Sequence, residues 1–306
     1  MKKVTLLIAG ILMSIVIVAQ DDADTAWKIR SDISLMFSQS SFTNWAAGGE
    51  NNINMNGFFN FYAGYEKGKS KWENILGLAF GQSKTGDQKY RKSEDKIDFL
   101  STYGYKAADK WYYSVNANFK SQFAAGYDYP FEGDSGRVKI SDFMAPAYIS
   151  VGPGMEYRPK DYFSLYLSPA TARWIIVNDQ DLANVGSFGV EPAEYDENGN
   201  MVKAGEMSRF EVGAYFRMIF VKDIAKNVNL NTKLELFSDY LEDPQNIDVN
   251  WDTKIGLKVN EWISASLGFQ LIYDDNTPIT DKDGKTGPRT QFMEVFSLGL
   301  SYKISN

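Results

Sequence analysis

Between Trp27 and Ile304 runs that alternate apolar with polar residues at every second position recur from end to end, and no segment in that span keeps an apolar 3.6-residue period for long. Trp27, Ile29, Ile33, Leu35 and Phe37 alternate with Lys28, Arg30, Asp32 and Ser34, and Ile53, Met55, Phe59, Phe61 and Tyr65 with Asn52, Asn54, Asn56 and Asn60. The pattern recurs at Trp72–Phe80, Ile97–Tyr105, Trp111–Phe119, Phe210–Met218, Val228–Leu236, Ile247–Val259, Ile263–Leu271 and Phe292–Ile304. Two less regular runs, Ala145–Tyr157 and Phe163–Ile175, are broken by Pro and Gly. About twelve strands result, each at or slightly beyond the 9–11 residues with which a tilted strand crosses a bilayer.

The links between these runs sort by parity. Short turns fall at Glu66–Lys71, Lys106–Lys110, Arg158–Asp161, Val221–Asn227 and Asn260–Glu261. The alternate links are long, at Ser38–Asn51, Ser83–Ser93, Ala124–Asp142, Ile176–Ser208 and Asp274–Thr290, with Leu241–Asn246 the one short exception. A soluble β-sandwich has no reason to sort its loops this way, whereas an outer-membrane barrel has short periplasmic turns and long external loops. The expected fold is therefore all-β: a transmembrane antiparallel up-and-down barrel of about twelve strands, filling residues 20–306 as one domain.

The N-terminus reads as a targeting segment. Met1-Lys2-Lys3 is a short basic head, Val4–Val18 is an apolar run, and Ala19 stands where signal peptidase needs a small residue. A signal peptide over residues 1–19 is expected, the run being too short for a spanning helix.

Composition narrows the chemistry. The chain has no Cys and no His. It therefore lacks a Ser-His-Asp or Cys-His catalytic set, a thiolate nucleophile and a His-ligated zinc, which leaves only carboxylates, Lys, Tyr or Ser for an enzyme. The formal net charge of -7 argues against a nucleic-acid partner. Aromatic residues make up 15% of the chain. Trp27, Tyr65, Trp72, Tyr105, Trp111, Tyr157 and Tyr302 share the lipid-facing parity near the chain ends or short turns, where an interfacial girdle is expected.

The opposite parity carries charges of both signs: Arg30, Asp32, Lys96, Asp98, Arg209, Glu211, Arg217, Lys233, Glu235, Asp252 and Lys254, with Lys28, Glu73, Lys120, Asp248, Lys258, Lys303 and many asparagines beside them. Such a lumen either ties itself together by ion pairs or holds water and passes solutes. A bore between that of a filled eight-strand barrel and a sixteen-strand porin makes a narrow or plugged passage the expectation. Asp248 and Asp252 share a strand face and pair more naturally with neighbouring bases than with each other in acid–base work.

Three segments compete for special roles. Asn44-Trp45-Ala46-Ala47-Gly48-Gly49 is a ligand platform or, more naturally, a tight turn with an aromatic anchor. Oxygen-rich loops at Asp179-Gln180-Asp181, Glu194–Asn200 and Asp274–Gly284 offer weak calcium sites, yet none matches a full calcium loop and no cofactor is expected. Gly152-Pro153-Gly154 lacks the Lys and following helix of a phosphate loop, which points to a kinked strand.

At Asn44–Gly49 the chain resembles a family of Bacteroidetes outer-membrane proteins of unknown function. Ser168-Pro169-Ala170-Thr171, after a Tyr157-Arg158-Pro159 turn, and Gly186-Ser187-Phe188-Gly189-Val190 support the likeness in chain order. The resemblance implies an outer-membrane barrel and brings no substrate or catalytic residue with it. The expected function is a narrow pore, transport component or loop-mediated binding module without catalysis, in contact with outer-membrane lipid and the assembly machinery. The alternatives are a scaffold for another envelope protein and, more remotely, a His-independent lipid-modifying enzyme.

Overall fold

The computed structural model describes residues 26–41, 50–129, 136–280 and 285–305. The expected signal peptide, the Asn44, Trp45, Gly48, Gly49 segment and Asp281–Gly284 lie outside them. The strands are β1 (Trp27–Ser40), β2 (Asn52–Lys67), β3 (Ser70–Thr85), β4 (Arg91–Ala108), β5 (Trp111–Ser121), β6 (Gly126–Asp128), β7 (Val138–Ser141), β8 (Ala147–Lys160) and β9 (Phe163–Ile176). They continue with β10 (Glu194–Tyr195), β11 (Met201–Lys203), β12 (Ser208–Ala225), β13 (Val228–Asp239), β14 (Asp248–Lys258), β15 (Ile263–Tyr273), β16 (Pro278–Thr280), β17 (Thr286–Pro288) and β18 (Gln291–Ser305).

Twelve of these close into one antiparallel barrel in which each long strand pairs with the next along the chain and β18 returns to β1. The pairs β6–β7, β10–β11 and β16–β17 form separate small sheets in the connections. Residues 177–207 also hold a one-turn helix, Gln180–Asn184, a departure from the expectation of hairpins alone. β4 and β12 reach 18 residues, beyond what the bilayer requires. The extra length shortens one expected long link: β3 continues to Thr85 and β4 starts at Arg91, so Ser83–Ser93 is mostly strand.

The outward parity is apolar and exposed, as at Leu35, Leu167 and Phe296. Two groups of polar side chains on this face satisfy one another. Trp72 Nε1 donates to Ser101 Oγ at 2.9 Å, and Ser101 donates to Asn74 Oδ1 at 2.9 Å. Trp251 Nε1 donates to Thr232 Oγ1 at 2.9 Å, which lies 2.7 Å from Thr253 Oγ1. A surface facing hydrocarbon requires this, because no water is there to take the bond.

The Gly/Pro-rich runs in β8 and β9 are a paired irregularity. The β8–β9 register shifts between Val151 and Met155, and the β9–β12 register shifts at Gly213/Tyr215. Pro153 and Pro169 have no N–H for a ladder. Hydroxyls take up the freed carbonyls instead: Tyr166 Oη donates to Gly152 O at 2.6 Å, Ser168 Oγ to Pro153 O at 2.7 Å and Tyr240 Oη to Pro169 O at 2.9 Å. A Cβ on Gly154 would lie 3.0 Å from the Leu167 carbonyl carbon, so the backbones touch where only glycine fits.

At the long-loop end, Ala145, Val177, Leu182, Ala183 and Val190 bury one another, with Phe188 packed alongside. The Gly186–Val190 segment reaches this cluster by placing Phe188 at φ 60° and Gly189 at φ 79°. Arg209 Nη1 donates to Gly189 O at 3.1 Å and ties the segment to the barrel wall.

Candidate functional site: the charged lumen

Strand alternation points Lys96 and Asp98 of β4, Lys120 of β5, Lys233 and Glu235 of β13, and Asp252 and Lys254 of β14 inward, where they meet across the bore. Lys233 Nζ lies 2.7 Å from Asp98 and 3.4 Å from Glu235. Lys120 pairs with Glu235, which also accepts from Tyr215 Oη at 2.7 Å and Asn250 Nδ2 at 3.2 Å. Lys96 lies 3.3 Å from Asp252 and 3.9 Å from Asp98. Because β4 and β14 stand opposite each other in the strand order, the Lys96–Asp252 bridge spans the lumen.

This belt divides the interior. On the side of β5, β8, β9, β12 and β13 the space is filled: Tyr166, Ser168 and Glu211 are fully buried and Arg217 is 2% exposed. Arg217 Nη2 donates to Thr102 Oγ1 at 3.2 Å, and its guanidinium lies 5.2 Å from the Tyr166 ring centre. On the side of β1, β2, β3, β15 and β18 several inward residues are small, among them Ser34, Gly77, Ala79, Ser266 and Ser297. A cavity of ≈ 310 Å³ lies there, with Phe58, Ile75, Leu100, Met293 and Val295 in its wall. It adjoins a vestibule of ≈ 1340 Å³ at the short-turn end, the two sharing Asn60, Ile75, Ile219, Asn231, Lys254 and Ser266.

Ion pairs also brace the two ends. In the vestibule, Arg158 Nη1 lies 2.9 Å from Glu73 and Nη2 lies 2.8 Å from Glu156, while Tyr62 Oη donates to Glu73 at 2.8 Å. Asp32 accepts from Asn60 at 3.0 Å, and Arg30 lies over the Tyr62 ring. Toward the long loops, Arg173 bridges Glu211 and Asp248, the latter at 2.6 Å, and Arg209 contacts Glu211 at 3.1 Å and Glu242 at 2.9 Å. Lys254 sits 5.1 Å from the Phe58 ring.

Sequence reading placed the belt residues on the inward parity but missed Arg158, Glu156 and Arg173. Arg158 sits in what reads as a turn, and Arg173 follows the bulge that resets parity in β9. The inward aromatics Tyr62, Tyr166 and Tyr215 were also missed, although the parity of Tyr62 with Asn60 was available as a signal.

The girdle candidates lie outside, beside the short turns. Trp27 packs 5.2 Å from Tyr65 and 5.8 Å from Trp72, Trp111 lies 4.8 Å from Tyr157, and Lys69 lies over Tyr105. Tyr302 pairs with Ile33 along the backbone, its side chain lying outside the described ones.

In the loops, Asp179 caps the one-turn helix by accepting from Leu182 N at 3.1 Å and is also paired with Lys139. The Lys139 hydrogen bond holds its carboxyl below the usual range. Asp196 accepts from Asn198 N, Asn200 N and Asn200 Nδ2, and the Asn200 side-chain bond lowers its pKa first among these. Both carboxylates are thus engaged within the chain, and no group of three acidic side chains placed to hold a metal occurs among the described residues.

Residues 37–127 match the model of a family described as "Protein of unknown function (DUF3078)". That span contains the Asn44–Gly49 segment but not Ser168–Thr171 or Gly186–Val190. No curated protein matches the chain. Among solved structures it is similar to an outer membrane channel from Pseudomonas putida F1, at 10% identity and TM-score 0.38, covering 94% of this chain and 98% of that one. The NanC porin is similar at 8% identity and TM-score 0.34, with 90% and 100% covered. OmpT, an outer membrane protein of Vibrio cholerae, is similar at 8% identity and TM-score 0.30, with 94% and 100% covered.

Proposed function

We propose that the protein is an integral outer-membrane barrel that acts as a narrow pore or transport component, without catalysis. The observation that carries this reading is a vestibule continuing into a second cavity, inside a closed barrel whose outer face is apolar. The aromatic cluster at Trp27, Tyr65 and Trp72 suits the periplasmic interface, ring bodies in lipid and polar tips at the headgroups. In this reading the short turns lie in the periplasm and the long loops outside the cell. The Bacteroidetes association belongs to this reading, as does contact with the machinery that assembles outer-membrane barrels. The lumenal carboxylates, held in ion pairs and amide bonds, favour a structural role over acid–base work.

Single-channel recording of the folded protein in a planar bilayer tests it. Small discrete steps are expected, with Lys96→Ala/Asp252→Ala raising the conductance by opening the bridge across the bore. Silence from both proteins would overturn the pore. A second reading, a scaffold for another envelope protein, draws on the packed core of the Val177–Met207 loop. A stoichiometric partner lost on deleting 191–206 would favour it.

A further inference from the structure

The barrel closes along an incomplete seam. β1 and β18 pair only from Arg30↔Ser305 to Met36↔Gly299, seven residue pairs against fourteen between β1 and β2. Beyond that point, among the described residues, Phe37–Ser40 pair on the β2 side alone, and Gln291–Leu298 pair on the β15 side alone. The strands approach tightly just before they part: a Cβ on Gly299 would lie 2.7 Å from Met36 Cα.

The outward face of this stretch of β18 carries three large apolar side chains and one carboxylate, Glu294. Phe292 is 63% exposed, Phe296 68% and Leu298 51%. Alternate residues of the same stretch, Met293, Val295 and Ser297, line the ≈ 310 Å³ cavity on the unfilled side of the lumen. Backbone groups left unpaired at membrane depth are tolerated where they border a cavity, not where they face lipid along a closed wall. The fork therefore lies between the cavity and the bilayer, with Phe292, Phe296 and Leu298 on its outer side around a single carboxylate, Glu294, and Met293, Val295 and Ser297 on its inner side, where the cavity runs on to the charged belt.

Resting on the pore reading above, we propose that the upper β1–β18 seam is a lateral opening. Through it apolar or amphipathic, lipid-like solutes exchange between the lumenal cavity and the membrane. Water-soluble ions, which lose hydration on entering such a path, keep to the bore.

The absence of native cysteine makes a direct test available. Met293→Cys and Val295→Cys, both facing the cavity, are each reconstituted in vesicles containing a phospholipid with a maleimide on its acyl chain. Asn116→Cys, on the filled side of the lumen, serves as the interior control, and Leu234→Cys, facing lipid, as the positive control. Heat-modifiable migration on gels verifies that each variant is folded. Cysteines at 293 and 295 are expected to react roughly tenfold faster than the cysteine at 116, as a path open to acyl chains requires. Reaction with a water-soluble thiosulfonate but not with the lipid reagent, alongside persistent conductance, would overturn the lateral opening and leave the pore standing. Protection from both reagents in a silent barrel would overturn both.

Discussion

Lys233 is the cation that two buried carboxylates share, since it contacts both Asp98 and Glu235. Lys233→Met removes the nearest cation from Asp98 and leaves Glu235 with Lys120 alone, and breaking a buried pair from one side costs about 3–5 kcal/mol. Urea unfolding from lipid vesicles, followed by gel mobility, should show a loss of that order. Adding Asp98→Asn should recover part of it, and an unchanged midpoint for the single variant would remove the belt from the account of stability. Arg217 offers a contrast: its Nε and Nη1 find no partner among the described residues, so Arg217→Met should cost less than Lys233→Met. At the loop end the sign of the pH dependence follows from the Asp179–Lys139 pair. Asp179 is depressed below its unfolded value, so its contribution is present above about pH 4 and lost as pH falls through the lower folded value. Lys139 is raised, so its share persists below about pH 10 and is lost only above that. The protection of the Leu182 amide, its exchange rate set against the intrinsic rate at each pH, should therefore be flat across neutral pH and fall in acid, and Asp179→Asn should remove the acid step. The belt residues were legible because strand parity assigns them to one face. Their partners were not, because Lys96–Asp252 and Lys120–Glu235 join positions more than 100 apart, and only closure of the barrel decides which strands oppose.

At the level of the elements, the β8–β9 irregularity is the feature most sensitive to a single methyl group. Gly154→Ala pushes a Cβ into the Leu167 backbone, and overpacking of this kind costs about 1–3 kcal/mol. Gly57→Ala, whose nearest atom would be 3.6 Å away, should be close to neutral. Thermal loss of the folded gel band measures both, and equal midpoints would mean that the β8–β9 approach tolerates a side chain. Gly152-Pro153-Gly154 announced a kink in the sequence, because Pro cannot donate to a ladder. What stayed hidden was that Ser168-Pro169-Ala170-Thr171 lies opposite, with Ser168, Tyr166 and Tyr240 supplying the hydroxyls. The loop-length rule was legible for a similar reason and imperfect for another. Parity sorted the links, but Ser83–Ser93 turned out mostly strand because β3 and β4 run on beyond the apolar residues that mark the bilayer span.

For the whole molecule, the twelve-strand barrel could be read from alternation because one face of every strand is apolar and the other is not. The half-filled lumen could not, since filling depends on the inward reach of Tyr166 and Arg217 past a bulge. Leu234→Arg on the lipid face should cost about 2–4 kcal/mol near the midplane, scored by folding yield in a lipid titration. Unchanged yield would mean that the outward face is not the lipid face. The seam carries one more consequence, in time rather than in space. Its partners, such as Leu35 and Leu300, come from the first and the last barrel strand, whereas every other junction joins barrel strands that follow one another along the chain. Closure entropy grows with the length of chain enclosed. Hairpins from β2 to β15 can therefore register while synthesis and export are still delivering β18, and the barrel stays an open sheet until its last residues arrive. A chain truncated before Gln291 would keep most of its ladders and still expose two free edges, a form that quality-control proteases and aggregation should claim before the membrane does.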